Sequence, residues 1–146
     1  MRSSIMIVRR SIWATIYLLI VATTFSFAQG LVKSMPLLSG SDTSIPYGIT
    51  AADAAQGLEL TFRAIVDSRC PADVNCMWAG DAVVDFLFVK NGAEATLELH
   101  THSNSDTEAS AHGYNVQLIS VWPYPERHDD LPQDDEYVTV IRMTKQ

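Results

Sequence analysis

Between Leu58 and Thr144 the chain holds several short runs typical of strands, and no stretch has the spacing of an amphipathic helix. The segment "GLELTFRAIVD" sets Leu58, Leu60, Phe62, Ala64 and Val66 on one face and Glu59, Thr61, Arg63 and Asp67 on the other. Only Ile65 is out of step. "DAVVDFLFVK" is β-branched and aromatic on both faces, which predicts a central strand. It runs into Asn91-Gly92, the pair that a tight type I′ hairpin turn prefers because both positions need positive φ. The chain returns as "ATLELHT", with Leu97 and Leu99 pointing one way and Glu98 and His100 the other. Residues 103–113 read as a polar loop. "YNVQLISVWP" then places Tyr114, Val116, Leu118 and Trp122 on a common face. After the acidic, proline-rich "YPERHDDLPQDD", the segment "EYVTVIRMT" is the last predicted strand.

Regular short strands with turn signals predict an all-β domain over residues 47–146, an antiparallel β-sandwich or small barrel of about six to seven strands. Alternation alone leaves the choice between sandwich and barrel open, and "YGITAADAAQ" lies between short strand and turn. Upstream, "QGLVKSMPLLSGSDTSIP" has no period. It reads as a flexible tether over residues 29–46 that can include a loosely held first strand.

The chain begins with "MRSSIMIVRR", which carries Arg2, Arg9 and Arg10 and no acid. A largely apolar, uncharged run from Ile12 to Ala28 follows and ends in Ser26-Phe27-Ala28. This is the layout of a secretory signal peptide, residues 1–28, with a helical apolar segment and cleavage after Ala28. The alternative is an uncleaved anchor; the run is short for a span and is interrupted by Thr15, Thr23, Thr24 and Ser26. Either way the rest of the chain is expected outside the cytoplasm, periplasmic or secreted. The mature chain would hold 118 residues (146 less 28), enough for one domain with a modest core. Ten basic residues less the three leader arginines leaves seven against 17 acids, a net charge of −10. Such a chain is repelled by nucleic acid and by anionic lipid, and its charge favours cationic partners or metal ions.

Export sets the reading of "DSRCPADVNCMWAGDA", residues 67–82. Cys70 and Cys76 are the only two cysteines and sit in an oxidising compartment. A structural zinc site takes four ligands, and a redox pair usually reads Cys-x-x-Cys; neither pattern is here. A disulfide across a short loop is the expectation. Trp78 is expected to pack beside it as core, with an exposed aromatic that contacts a partner as the alternative.

Together "DSRCPADVNCMWAGDA", "LELHT" after a hairpin, "VWPYP" and the final "YVTV" resemble a group of small exported bacterial β-rich proteins of uncharacterised function. The Arg-Cys-Pro to Trp-Ala-Gly block carries most of the likeness, which spans roughly Gly57 to Arg142. The resemblance implies export and a β-rich fold, and no catalytic residue. Lipoprotein-like members would begin their mature chain with Cys, where this one has Gln29.

Chemistry-bearing residues are sparse. His100 and His102 stand two apart, as residues sharing one strand face do, with Glu98 beside them. With His112 or His128 from flanking loops they suit Zn²⁺, Cu²⁺ or Ni²⁺; the alternative is solvated histidines at a strand end. Asp129, Asp130, Asp134, Asp135 and Glu136 offer oxygen ligands, but the loop lacks EF-hand spacing and reads first as a solvated turn. Asp81 and Asp85 read as a turn cap and an edge charge. No Gly-x-Ser-x-Gly elbow and no His-Glu-x-x-His is present, so the chain is expected not to be an enzyme and to need no cofactor.

The leading expectation is therefore an exported, non-catalytic binding or interaction module with a protein or small-ligand partner. Its contact elements would be the cystine loop, Trp78, Trp122 and Tyr124, unless the "WPYP" aromatics simply close the end of the fold. A periplasmic metal-binding protein built on His100, His102 and His112 is the alternative.

Overall fold

The computed structural model describes residues 34–37, 39–102 and 104–146; the leader, its cleavage site and residues 29–33 lie outside the described residues. Among the described residues the chain forms nine strands: β1 (Ser34–Pro36), β2 (Asp42–Pro46), β3 (Thr50–Asp53), β4 (Leu58–Asp67), β5 (Ala82–Lys90), β6 (Ala93–His100), β7 (Glu108–Ala111), β8 (Tyr114–Trp122) and β9 (Val138–Lys145). They assemble as two sheets, β1-β3-β4-β5-β6 and β2-β9-β8-β7. All pairings are antiparallel except β1 with β3. Neither sheet closes on itself, so the fold is sandwich-like and not a barrel.

The strand count exceeds the expected six to seven because four strands of three to five residues are too short to show a period. Two of them, β1 and β2, lie in the stretch expected as a tether, so the domain begins before residue 47. Leu37 and Ile45 from that stretch are fully buried, and β2 pairs with β9 along its length. β7 lies inside the stretch expected as a polar loop; its "EASA" alternates, but over only four residues and with alanine as its sole apolar residue. β3 resolves the "YGITAADAAQ" ambiguity in favour of a strand over Thr50–Asp53.

One core lies between the sheets. Leu60 and Phe62 of β4, Val84, Phe86 and Phe88 of β5, Leu99 of β6, Val116 of β8 and Ile141 and Met143 of β9 are all inaccessible to solvent. Each such side chain contributes about 1.5–3 kcal/mol by burial. β5, expected to be buried on both faces, lies between β4 and β6 but is fully buried on one face only, with Val83, Asp85, Leu87 and Val89 half-covered on the other. The β5–β6 hairpin turns at Asn91 (φ 50°) and Gly92 (φ 82°), both in the left-handed region, as the dipeptide predicts.

Two bulges reverse which side chains face inward. In β4 the ladder to β5 slips at Arg63, between Phe62 and Ala64. Beyond it Ile65 packs against the core, Val66 faces water, and Asp67 turns in opposite Ala82. In β8 the ladder to β9 slips at Ile119, between Leu118 and Ser120. Beyond it Val121 is buried and Trp122 faces out. An extra residue in one strand shifts a period-two pattern by one place, so every later side chain changes face. The uniform alternation read from the sequence put Val66 and Trp122 inside and Asp67 outside; all three are on the opposite side.

Candidate functional site

The cystine loop and the proline-rich connection meet at one end of the sandwich. The first is closed at its base, where the Ser68 and Cys70 amides donate to the carbonyls of Asp81 (2.7 Å) and Ala79 (2.9 Å). Cys70 and Cys76 form the expected disulfide. The two loops then zip together: the Ala72 amide donates to the Pro125 carbonyl at 3.0 Å and the Asp73 amide to the Glu126 carbonyl at 3.1 Å. The Tyr124 hydroxyl donates to the Cys70 carbonyl at 2.8 Å.

A buried ion pair anchors this junction. The Arg69 guanidinium donates to both carboxylate oxygens of Asp67 (2.8 and 2.6 Å) and to the carbonyls of Val121 (2.9 Å) and Pro123 (2.8 Å). It also lies 4.9 Å from the centre of the Tyr124 ring, a cation–π distance. Asp67 accepts two further bonds, from the Arg69 amide and the Tyr137 hydroxyl. The two side chains are 8% and 5% exposed. Burial, and then the bond to Asp67, push the Tyr137 phenol up to about 12. The sequence reading missed this network, although Asp67 and Arg69 stand in its most distinctive block. An Asp-x-Arg at a strand end is one signal, and the break of period at Ile65, which marks the bulge that turns Asp67 inward, is the other.

Large apolar side chains of these two loops are exposed. Trp78, expected as core, is 77% exposed, Met77 beside it 87% and Trp122 60%. A cleft of about 530 Å3 takes Arg69, Ala79 and Gly80 from the cystine loop, Leu118 to Trp122 from β8, Thr101 and His102 from the end of β6, and Tyr124. The "WPYP" segment therefore does two things. Its proline carbonyls close the end of the fold, and Trp122 stands in water beside the cleft.

The three histidines of the metal reading are not brought together into one ligand group. His100 is held on both sides, Nδ1 at 2.6 Å from Asp81 and Nε2 at 3.4 Å from Glu98. His102 borders the cleft, and its Nδ1 accepts the Asn104 amide at 3.2 Å. His112 sits in the β7–β8 turn with φ 52° and its ring 5.6 Å from that of Phe88. Among the described residues the one group of three donors within 4.8 Å of each other is Asp73, His128 and Asp129, all exposed.

Asp81 is a turn cap, as expected, and a fuller one than the sequence shows. It accepts the amides of Thr101 and His102, the Thr101 hydroxyl and the His100 ring. Burial raises its carboxyl, but those bonds together hold it below its usual 3.8. The bond to Asp81 lifts His100 above 6.5. A raised histidine adds stability that is complete below its unfolded value and fades as pH rises through its folded one. A lowered carboxyl adds stability above its unfolded value and loses it as pH falls through its folded one. His100→Gln should therefore cost more stability at about pH 5.5 than at about pH 8.5. Equal losses in urea unfolding at both would refute the pairing.

The disulfide closes a loop with a sequence separation of 6, for which chain entropy gives about 2 kcal/mol. Replacing both cysteines by alanine should lower stability by that amount while far-UV circular dichroism stays unchanged, since neither residue lies in a strand. A loss of strand signal would show that the loop is needed to form the sheets. No protein-family model matches this chain, and neither a curated protein nor a solved structure does.

Proposed function

We propose that this chain is an exported, non-catalytic binding module, and that its contact surface is the end of the sandwich formed by the cystine loop and the "WPYP" connection. One observation carries the reading: the bulge at Ile119 turns Trp122 out of the core and stands it in water beside a cleft. A tryptophan left this exposed forgoes roughly 3 kcal/mol of burial, so its position is not explained by folding. Bulges commonly serve to re-aim a side chain at a site. The arginine anchor and the zipped loops hold the surface rigid, which lowers the entropy cost of binding. The cleft volume falls within the usual range for ligand sites, 300–1,000 Å3 by general survey (about one drug-sized group). A non-catalytic role is supported by the joined cysteines and by His100, whose two ring nitrogens both face carboxylates. Export is supported by the leader layout and the disulfide. Among the described residues no helix is long and apolar enough to cross a membrane.

The test is partner capture from the exported fraction of bacterial cells with the native protein and with Trp78→Ala/Trp122→Ala. A partner held by the first and lost by the second, at equal thermal stability, is the expected result. Identical capture by both would end the proposal. The second reading, a transition-metal protein with bound Zn²⁺ or Cu²⁺, now rests on Asp73, His128 and Asp129, not on His100, His102 and His112. Native mass spectrometry of the exported protein, without chelator, decides it: a metal adduct lost in His128→Ala favours it, and a bare mass after incubation with zinc and copper rejects it.

A further inference from the structure

We infer that the occupant of this end is a cationic, apolar segment of another protein, one that alternates lysine or arginine with large apolar residues. The inference rests on the binding-module reading and names its ligand. Tyr124 borders two clefts: the one beside Trp122, and a second of about 250 Å3 lined also by Pro123, Leu131, Pro132, Arg127 and the acids Glu126, Asp130 and Glu136. A hollow with an apolar side at Leu118, Val121 and Trp122 and one rich in carboxylates thus share a wall.

The charge around them is mostly negative. Residues 124–136 hold Glu126, Asp129, Asp130, Asp134, Asp135 and Glu136 against Arg127 alone. Arg127 is tied to Asp129 at 3.1 Å, and among the described residues Glu126 and Asp130 have no ion-pair partner. Glu126 is also fixed in place, because its carbonyl accepts the Asp73 amide. Six basic residues against 17 acids give residues 34–146 a net charge of −11, so the long-range field and the local one agree.

The chemistry of this pairing selects the ligand. A lysine or arginine lays its aliphatic stem on an aromatic face and carries its charge to a nearby carboxylate. Apolar neighbours in the same segment fill the hollow beside Trp122. An acidic segment would be repelled by the rim, because like charges at an interface oppose binding. A neutral glycan would stack on the tryptophans but leave the carboxylate rim without counter-charge.

The experiment is a heteronuclear NMR titration of the domain at low ionic strength with three probes. They are a short peptide alternating lysine and leucine, its glutamate–leucine counterpart, and a neutral β-1,4-linked glucose oligomer. The lysine peptide should shift the Trp78 and Trp122 indoles and the Glu126 and Asp130 amides. Its affinity should fall about tenfold in Trp122→Ala, or in Trp122→Gln if the alanine variant is poorly folded, and about tenfold in Glu126→Gln/Asp130→Asn. Glu59→Gln/Glu94→Gln removes the same charge at the opposite end, beside the β5–β6 hairpin, and should leave it within about twofold. Equal weakening by the two charge pairs, or equal binding of the glutamate peptide, overturns the inference. If the glucose oligomer alone moves the indoles, the cationic ligand is wrong and the binding-module reading stands. If no probe moves them, the inference falls, and partner capture decides the module reading separately.

Discussion

Arg69→Met is expected to lower stability by about 3–5 kcal/mol, because it strands the Asp67 carboxylate in the protein interior. In the native fold that carboxylate accepts three bonds from Arg69 and one from Tyr137. The substitution removes the two side-chain donors and the countercharge together. It also frees the carbonyls of Val121 and Pro123 at the point where β8 leaves the sheet. Asp67→Asn should cost a similar amount, and Asp67→Leu/Arg69→Met much less than the sum of its parts, since two buried charges vanish together. Urea unfolding checks all three. A loss below about 1 kcal/mol in either single variant would mean that solvent reaches the pair and screens it. A second readout is spectroscopic. The neutral Tyr137 phenol is the form the fold favours, so its contribution is complete below about 10 and lost as pH rises through about 12. In Asp67→Asn the phenol should ionise at lower pH in an ultraviolet titration; an unchanged titration would show that burial alone sets it.

The next largest effect is expected at Gly80. Its φ of +71° favours glycine, and a Cβ built there would fall onto the carbonyl oxygen of Ser68 and against the Arg69 backbone. Those atoms cannot swing aside, because the Ser68 and Cys70 amides tie the same strand of the loop to Asp81 and Ala79. Gly80→Ala therefore adds a backbone cost of about 1–2 kcal/mol to an overpacking cost of about 1–3 kcal/mol. Gly113→Ala separates the two: its φ is +80°, yet nothing lies within 4 Å of the added carbon. That variant should lose about 1 kcal/mol, and Gly80→Ala about 3 kcal/mol, by the same unfolding measurement. Equal losses would show that the cystine loop shifts to admit the methyl group. Because Gly80 borders the cleft beside Trp122, the Gly80→Ala variant also reports whether loop geometry governs binding.

The fold class was legible because the long strands obey a strict period of two. β4 up to Phe62, β5, β6 and β9 fall where the alternation puts them, and the Asn91-Gly92 turn follows from the positive φ that two adjacent positions require. The disulfide was legible because two cysteines and a leader-like start leave few other readings. β7 was not legible, and β1, β2 and β3 were legible only in part, as one loose strand allowed within the tether and as a segment between strand and turn. Each is three to five residues long and draws its order from pairing with a neighbour, as β2 does with β9, not from its own pattern.

For the site, the sequence by itself determined the ingredients: the cystine loop, the aromatic residues Trp78, Trp122 and Tyr124, and the excess of acids near them. The tertiary structure alone decided their arrangement. A bulge inserts one residue without changing composition or average hydropathy, yet it exchanges the two faces of everything beyond it. At Arg63 it buries Asp67 for Arg69 to meet, and at Ile119 it exposes Trp122. Whether a tryptophan is core or contact surface depends on that single-residue slip between paired strands. A slip of this kind is set by contacts across the sheet; along the chain the bulge in β4 leaves one trace, Ile65, the single residue out of step with the alternation.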